Sequence, residues 1–189
     1  MASDTYGVGY NSKTIEGRYN QYARNRELFL ERGRDCARFT IPTLIPDEGH
    51  TSTSRFNTPY QGIGARGVNN LASKLLLTLL PPNAPFFRFS IDNFALKEIE
   101  EDKNLKTEID KGLVEVEKAV MEDIEISSDR VALFEALKHL IVGGNVLLFV
   151  SKEGLRVFPL DRYVCKRDPM GNVIEIITKE TISINVLPE

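Results

Sequence analysis

The sequence predicts an α+β fold in which packed helices come first and antiparallel β-hairpins follow, and three observations support it. Apolar residues recur at spacings of three, four and seven through much of residues 13–142. The pair Gly143-Gly144 then ends that periodicity. Beyond it, short β-branched and aromatic runs alternate with clusters of turn-forming residues. The expected organisation is a mobile N-terminal arm over residues 1–12 and a mainly helical region over 13–142, with a short strand near 86–91. A β-hairpin region over 143–189 follows, left unfinished at its C-terminal end.

Residues 1–12 are polar and glycine-containing, as a loose arm would be. A first helix is expected over 13–38, where Ile15, Tyr19, Tyr22, Phe29 and Cys36 share helical spacings. Gly17 and Gly33 each weaken it by about 1 kcal/mol relative to alanine, and Pro42 and Pro46 bar its continuation. The polar stretch 47–57 reads as a loop. The second helix has the clearest start: Thr58 as N-cap, Pro59 at the first position and Gln61 completing a capping box. Val68, Leu71, Ala72, Leu75, Leu76 and Leu79 give it a wide apolar face before Pro81-Pro82.

Residues 86–91 alternate enough to predict a strand. An acidic helix is expected over 93–126, interrupted near 102–104, with Leu105, Ile109, Leu113, Val116, Val120 and Ile124 on its apolar side. Ser127, Ser128 and Asp129 mark a boundary and a new cap. A helix over 130–142 follows, with Val131, Phe134, Leu137, Leu140 and Ile141 apolar. Two hairpins close the pattern. One joins 145–150 to 155–158 through a turn at 152–154; the other joins 162–167 to 173–178 through Asp168-Pro-Met-Gly-Asn172.

Of 189 residues, 42% are hydrophobic and 27% charged, ordinary values for a soluble folded domain. The net charge is −3, without the basic excess that strong phosphate binding demands. DNA, if met, is therefore not gripped tightly through these residues. Cys36 and Cys165 lie in no metal-ligand spacing, so free thiols in a reducing compartment are expected. The first residues carry no apolar leader, and the longest apolar run is too short for a bilayer. A soluble protein, intracellular when made and without membrane or cofactor, is expected.

The run from Gly62 to Gly67 matches G-x-G-x-x-G, a fingerprint that sets glycine backbone against a pyrophosphate after a strand. Here it follows a polar loop and lies in the first turns of a helix, so a surface for close packing is expected instead. A dinucleotide-binding enzyme remains the alternative, and it requires a strand ending just before Gly62. Ser73 and Lys74 are adjacent on a helix and point about 100° apart, which excludes a catalytic pair. His50 and His139 have no neighbouring cysteine or carboxylate cluster, and His139 is expected to be structural and partly buried. The acidic runs 98–102 and 122–125 lack calcium-loop spacing and read as solvated faces. No catalytic or metal constellation emerges. Arg66, Asn69, Asn70 and Lys74 are polar groups embedded in an otherwise apolar helix, and are expected to form a polar stripe at a subunit boundary.

Several segments resemble, in order, one known family: DCARFTIPTL at 35–44, GARGVNNLASKLL at 64–76, LFEALK at 133–138, GNVLL at 144–148 and RDPMGNV at 167–173. These are similar to the N-terminal portion of portal (head-to-tail connector) proteins of short-tailed double-stranded DNA phages, largely the α/β wing. The resemblance implies a non-enzymatic ring of identical subunits, a dodecamer, at one capsid vertex of the virion, assembled in the bacterial cytoplasm. Its implied partners are other copies of itself, major capsid and scaffolding proteins, terminase, tail adaptor proteins, and double-stranded DNA passing through without sequence-specific binding. A stand-alone capsid-associated adaptor is the other alternative, and it predicts a closed β-sheet.

Overall fold

A computed structural model describes residues 14–51, 53–82, 84–90, 103–127, 129–152 and 154–182, with backbone only at 103–105. Helices come first: α1 (Ile15–Phe39), α2 (Ile63–Leu79), α3 (Lys103–Ile126) and α4 (Asp129–Gly143). Two antiparallel pairs follow, β1 (Leu147–Ser151) with β2 (Gly154–Phe158), and β3 (Tyr163–Arg167) with β4 (Val173–Thr178). A single 3₁₀ turn, Leu160–Arg162, joins the two hairpins. This is the α+β architecture the sequence predicts. The arm expected over 1–12 and the helical start expected over 93–102 lie outside the described residues.

α4 is the centre of the molecule: α1, α2, α3 and β2 all pack on it. Its buried side is Ala136, Leu137, His139 and Val142, whereas Val131 is 71% exposed and Leu140 is also exposed, against expectation. The core joins Leu30 and Ala37 of α1, Leu44 and Ile45 of the following loop, Val68 of α2, and Val142, Phe158, Leu160 and Tyr163. Burying each such aliphatic side chain contributes about 1.5–3 kcal/mol. Gly33, which weakens α1 in isolation, has a packing role here. A Cβ at that position would stand 2.9 Å from Ile45 Cδ1 and 3.7 Å from Gly143 Cα, so its absence lets α1 and α4 cross closely.

α1 starts at an N-cap, Thr14, whose hydroxyl accepts from the Gly17 amide at 3.1 Å. α2 starts later than its capping signals predict. Thr58, Pro59 and Gln61 lie in irregular chain, and the helix begins at Ile63 with Gly62 as an N-cap that makes no side-chain bond. The reason is tertiary. A Cβ on Gly64 would overlap the Phe39 carbonyl and come within 3.2 Å of Thr40 Cα, so the seating of α2 on the end of α1 decides where the helix can begin. At its other end Arg130 donates to the Leu80 carbonyl at 3.2 Å, a cation closing a helix C-terminus.

The strand expected over 86–91 does not form at the described residues 86–90. No described strand lies beside it. Phe87 instead makes edge contacts with Phe86 and Phe89, with ring centroids 5.0 and 5.3 Å apart, and the Phe89 amide donates to Glu117 Oε1 at 2.7 Å. The face of α3 is rotated from the predicted one. Ile109, Leu113, Met121 and Ile124 turn inward with Glu117 buried among them, while Val116 and Val120 are exposed.

Both hairpins form where turn chemistry places them. Ser151 pairs with Gly154, whose φ of 117° suits glycine. Leu155 donates its amide to Asp129 Oδ1 at 2.8 Å, tying the first hairpin to the start of α4. In the second turn Asp168 accepts from the Asn172 amide at 2.7 Å and from its side chain at 2.9 Å. Those bonds, the side-chain one foremost, hold the Asp168 carboxyl below its ordinary range. The second hairpin is locked to α1. Arg26 donates to the carbonyls of Leu160, Asp161 and Tyr163, Tyr22 donates to Glu175 at 3.0 Å, and Arg18 pairs with Glu175 at 3.0 Å.

Candidate subunit-contact surfaces

Burying Val68 and Ala72 against α1 and α4 turns the opposite side of α2 outward. At 100° per residue, Ile63, Arg66, Asn70, Lys74 and Leu77 fall on that outer ridge. All four residues of the predicted polar stripe are exposed, and none makes a side-chain hydrogen bond or ion pair with a described residue. Arg66, Asn70 and Lys74 come together on the ridge. Asn69 does not; it sits 100° round the helix from Asn70. α2 carries two cations and no carboxylate, and Ile63 and Leu77 are 69% and 56% exposed at either end of the ridge.

The glycine run is divided by its environment. Gly64 is pressed on Phe39 and Thr40, while positions beside Gly62 and Gly67 are open. Residues 53–61, which lead into it, form no strand, and both sheets are antiparallel pairs. This removes the structural context that a dinucleotide site requires. Among the described residues the strands form two separate two-stranded sheets, not the closed sheet that a stand-alone adaptor predicts.

An open groove of about 1120 Å³ runs between the loop after α1 and the segment leading into α2. On one side of it Arg38 bridges Asp47 at 2.8 Å, and the His50 ring lies against Phe56 at 4.0 Å. His139 is more buried than the sequence suggests, at 7% exposure. Its Nε2 stands 3.6 Å from Glu135, and burial lowers its pKa despite the opposing pull of Glu135 and Asp161. Among the described residues no three metal-ligating side chains gather. No described helix is long and apolar enough to cross a membrane. Cys36 is an exposed free thiol and Cys165 a half-buried one.

Two features escape a reading of the sequence. Arg26 makes its bonds to carbonyls more than 130 residues away, for which no local pattern exists. Glu117 did leave a signal, since Leu113 and Met121 bracket it at four residues on either side. On the solvent side of α3, Glu108, Glu115 and Glu122 recur every seven residues as an exposed row, beside the exposed Gly112 and Ala119.

The whole span of these elements is matched by known proteins. A family model described as bacteriophage head to tail connecting protein covers residues 12–187. The portal protein of Escherichia phage T7 is 40% identical over 177 residues, covering 90% of this chain and 33% of its own length. That of Enterobacteria phage T3 is 38% identical over 192 residues, covering 99% of this chain and 36% of its own length. That of Enterobacteria phage SP6 is 34% identical over 173 residues, covering 91% and 33%. The chain thus spans about a third of the length of the curated relatives it matches. Since the match runs from before α1 to beyond the second hairpin, the chain belongs to the bacteriophage head-to-tail connecting (portal) protein family.

Proposed function

We propose that this chain serves as a structural, non-enzymatic subunit of the portal ring at the unique capsid vertex of the virion. In that role copies assemble into a closed ring, a dodecamer by family resemblance, in the bacterial cytoplasm. The ring passes double-stranded DNA during packaging and ejection. It meets capsid and scaffolding proteins around its outside, terminase during filling, and tail adaptors afterwards. The observation that carries this reading is the family match over residues 12–187. The net charge of −3 agrees with a passage that does not grip phosphates, and Arg66, Asn69, Asn70 and Lys74 are offered as subunit-boundary residues.

Electron microscopy of the protein at its natural length, purified alone, tests the ring. Images of filled particles labelled on this protein test its place. The expected result is a ring with an axial channel and a single label at the tail-bearing vertex. Monomers only, or label spread over the whole capsid, would overturn the proposal.

A further inference from the structure

A closed ring is heterologous: each subunit shows its neighbours two different, mutually complementary patches. The outward sides of α2 and α3 meet that requirement within one chain. α2 has Arg66 and Lys74 and no acid; α3 carries six exposed carboxylates against four lysines. Both helices pack their inner sides on α4, and no described element packs on their outer sides.

The spacing also fits. Arg66 and Lys74 are eight residues apart, about 12 Å along a helix, and Glu115 and Glu122 are seven apart, about 10.5 Å. Each row lies beside exposed apolar or small residues. On α2 these are Ile63 and Leu77, 69% and 56% exposed; on α3 they are the small, exposed Gly112 and Ala119. Beside Gly67 and Gly112 nothing stands within 4 Å of a Cβ position, so the two backbones can approach. Glu115 and Glu122 hold no ion pair with a described residue, although Lys111 and Lys118 lie roughly 40–60° round the helix from the acidic row.

We infer that the α2 ridge of one copy docks on the acidic row of α3 in the next copy. This rests on the ring reading above and assigns its subunit contact. Arg66 and Lys74 face Glu115 and Glu122 across the boundary, with Ile63 and Leu77 against the small-residue surface at Gly112 and Ala119. Opposite charges give the contact its register and reject like-signed faces.

The test uses the protein at its natural length, with ring mass followed by mass photometry on dilution. The double variant Arg66→Glu, Lys74→Glu is expected to raise the concentration at which rings fall apart by about tenfold or more. Adding Glu115→Lys and Glu122→Lys is expected to recover most of that loss. All four side chains are exposed, and circular dichroism checks that each variant is folded. Rings unaffected by the first pair, or a loss that the second pair does not recover, would overturn the pairing. A wild-type protein that never forms rings would instead remove the proposed function itself.

Should a charge variant misfold, oxidation of Asn70→Cys with Ala119→Cys, in a background lacking Cys36, decides the matter. A head-to-tail contact gives a ladder of covalent multimers, whereas dimers alone or no cross-link overturn it.

Discussion

Replacing helical glycines by alanine distinguishes close packing from open surface at three positions. Alanine is favoured over glycine inside a helix by about 0.8–1.0 kcal/mol. Gly67 and Gly112 have nothing within 4 Å of an added Cβ, so that gain should appear almost undiminished. For a chain of this length, 1 kcal/mol corresponds to roughly 2–4 °C in Tm. Gly64 should behave oppositely. Its added methyl would overlap the Phe39 carbonyl and sit 3.2 Å from Thr40 Cα, and main-chain atoms cannot rotate aside. Overpacking of this kind costs about 1–3 kcal/mol, and the propensity gain is smaller at the second residue of a helix. A net loss of about 1–2 kcal/mol, or roughly 2–8 °C, is expected. Thermal unfolding by far-ultraviolet circular dichroism, run side by side on the three variants, gives the comparison. A Gly64→Ala protein melting at or above wild type would refute the claim that α2 is seated on the end of α1 through that glycine.

Glu117→Ala should cost about 1–3 kcal/mol by leaving the Phe89 amide without its acceptor, while Glu117→Gln keeps a carbonyl there and should cost less; hydrogen exchange at Phe89 separates them. Arg26→Lys should fail to replace arginine, because one ammonium cannot span three carbonyls; a loss of about 1.5–3 kcal/mol and faster proteolysis at the β3 edge are expected. His139 is held neutral by burial, so its folded pKa lies below the unfolded value of about 6.5. The unfolded chain therefore binds the proton first, and stability should fall as pH drops below about 6.5 toward the folded pKa. Urea unfolding on both sides of that pH should show a smaller acid loss in His139→Gln than in wild type.

Much of the fold is legible in the sequence where local chemistry and tertiary packing agree. Gly143-Gly144 ends α4, and Asp168 to Asn172 builds its own turn from its own side chains. Legibility fails where a distant partner decides. Thr58 and Gln61 form a sound capping pattern, yet the seat of Gly64 against Phe39 sets the start of α2. Apolar periodicity alone assigns Val116 and Val120 to the inside of α3, although Leu113 and Met121, four residues to either side of Glu117, mark the true inner line. Glu117 takes that inner position by accepting an amide 28 residues away in sequence. Of the four residues in the polar stripe, Arg66, Asn70 and Lys74 share a ridge, whereas Asn69 sits 100° round the helix, a split that helical geometry already fixes in the sequence.

Arg26 holds the corner between the hairpins by its main-chain oxygens, and this shapes how the sequence can drift. Main-chain carbonyls are present whatever side chain they belong to. Substitution of the Asp161 side chain therefore leaves this anchor in place, while Leu160 and Tyr163 remain bound to the apolar interior by their side chains. Arg18 and Tyr22 reach Glu175 of the same hairpin from the same helix, so its alignment rests on three side chains one turn apart, of which Arg26 alone is indifferent to the side chains it meets.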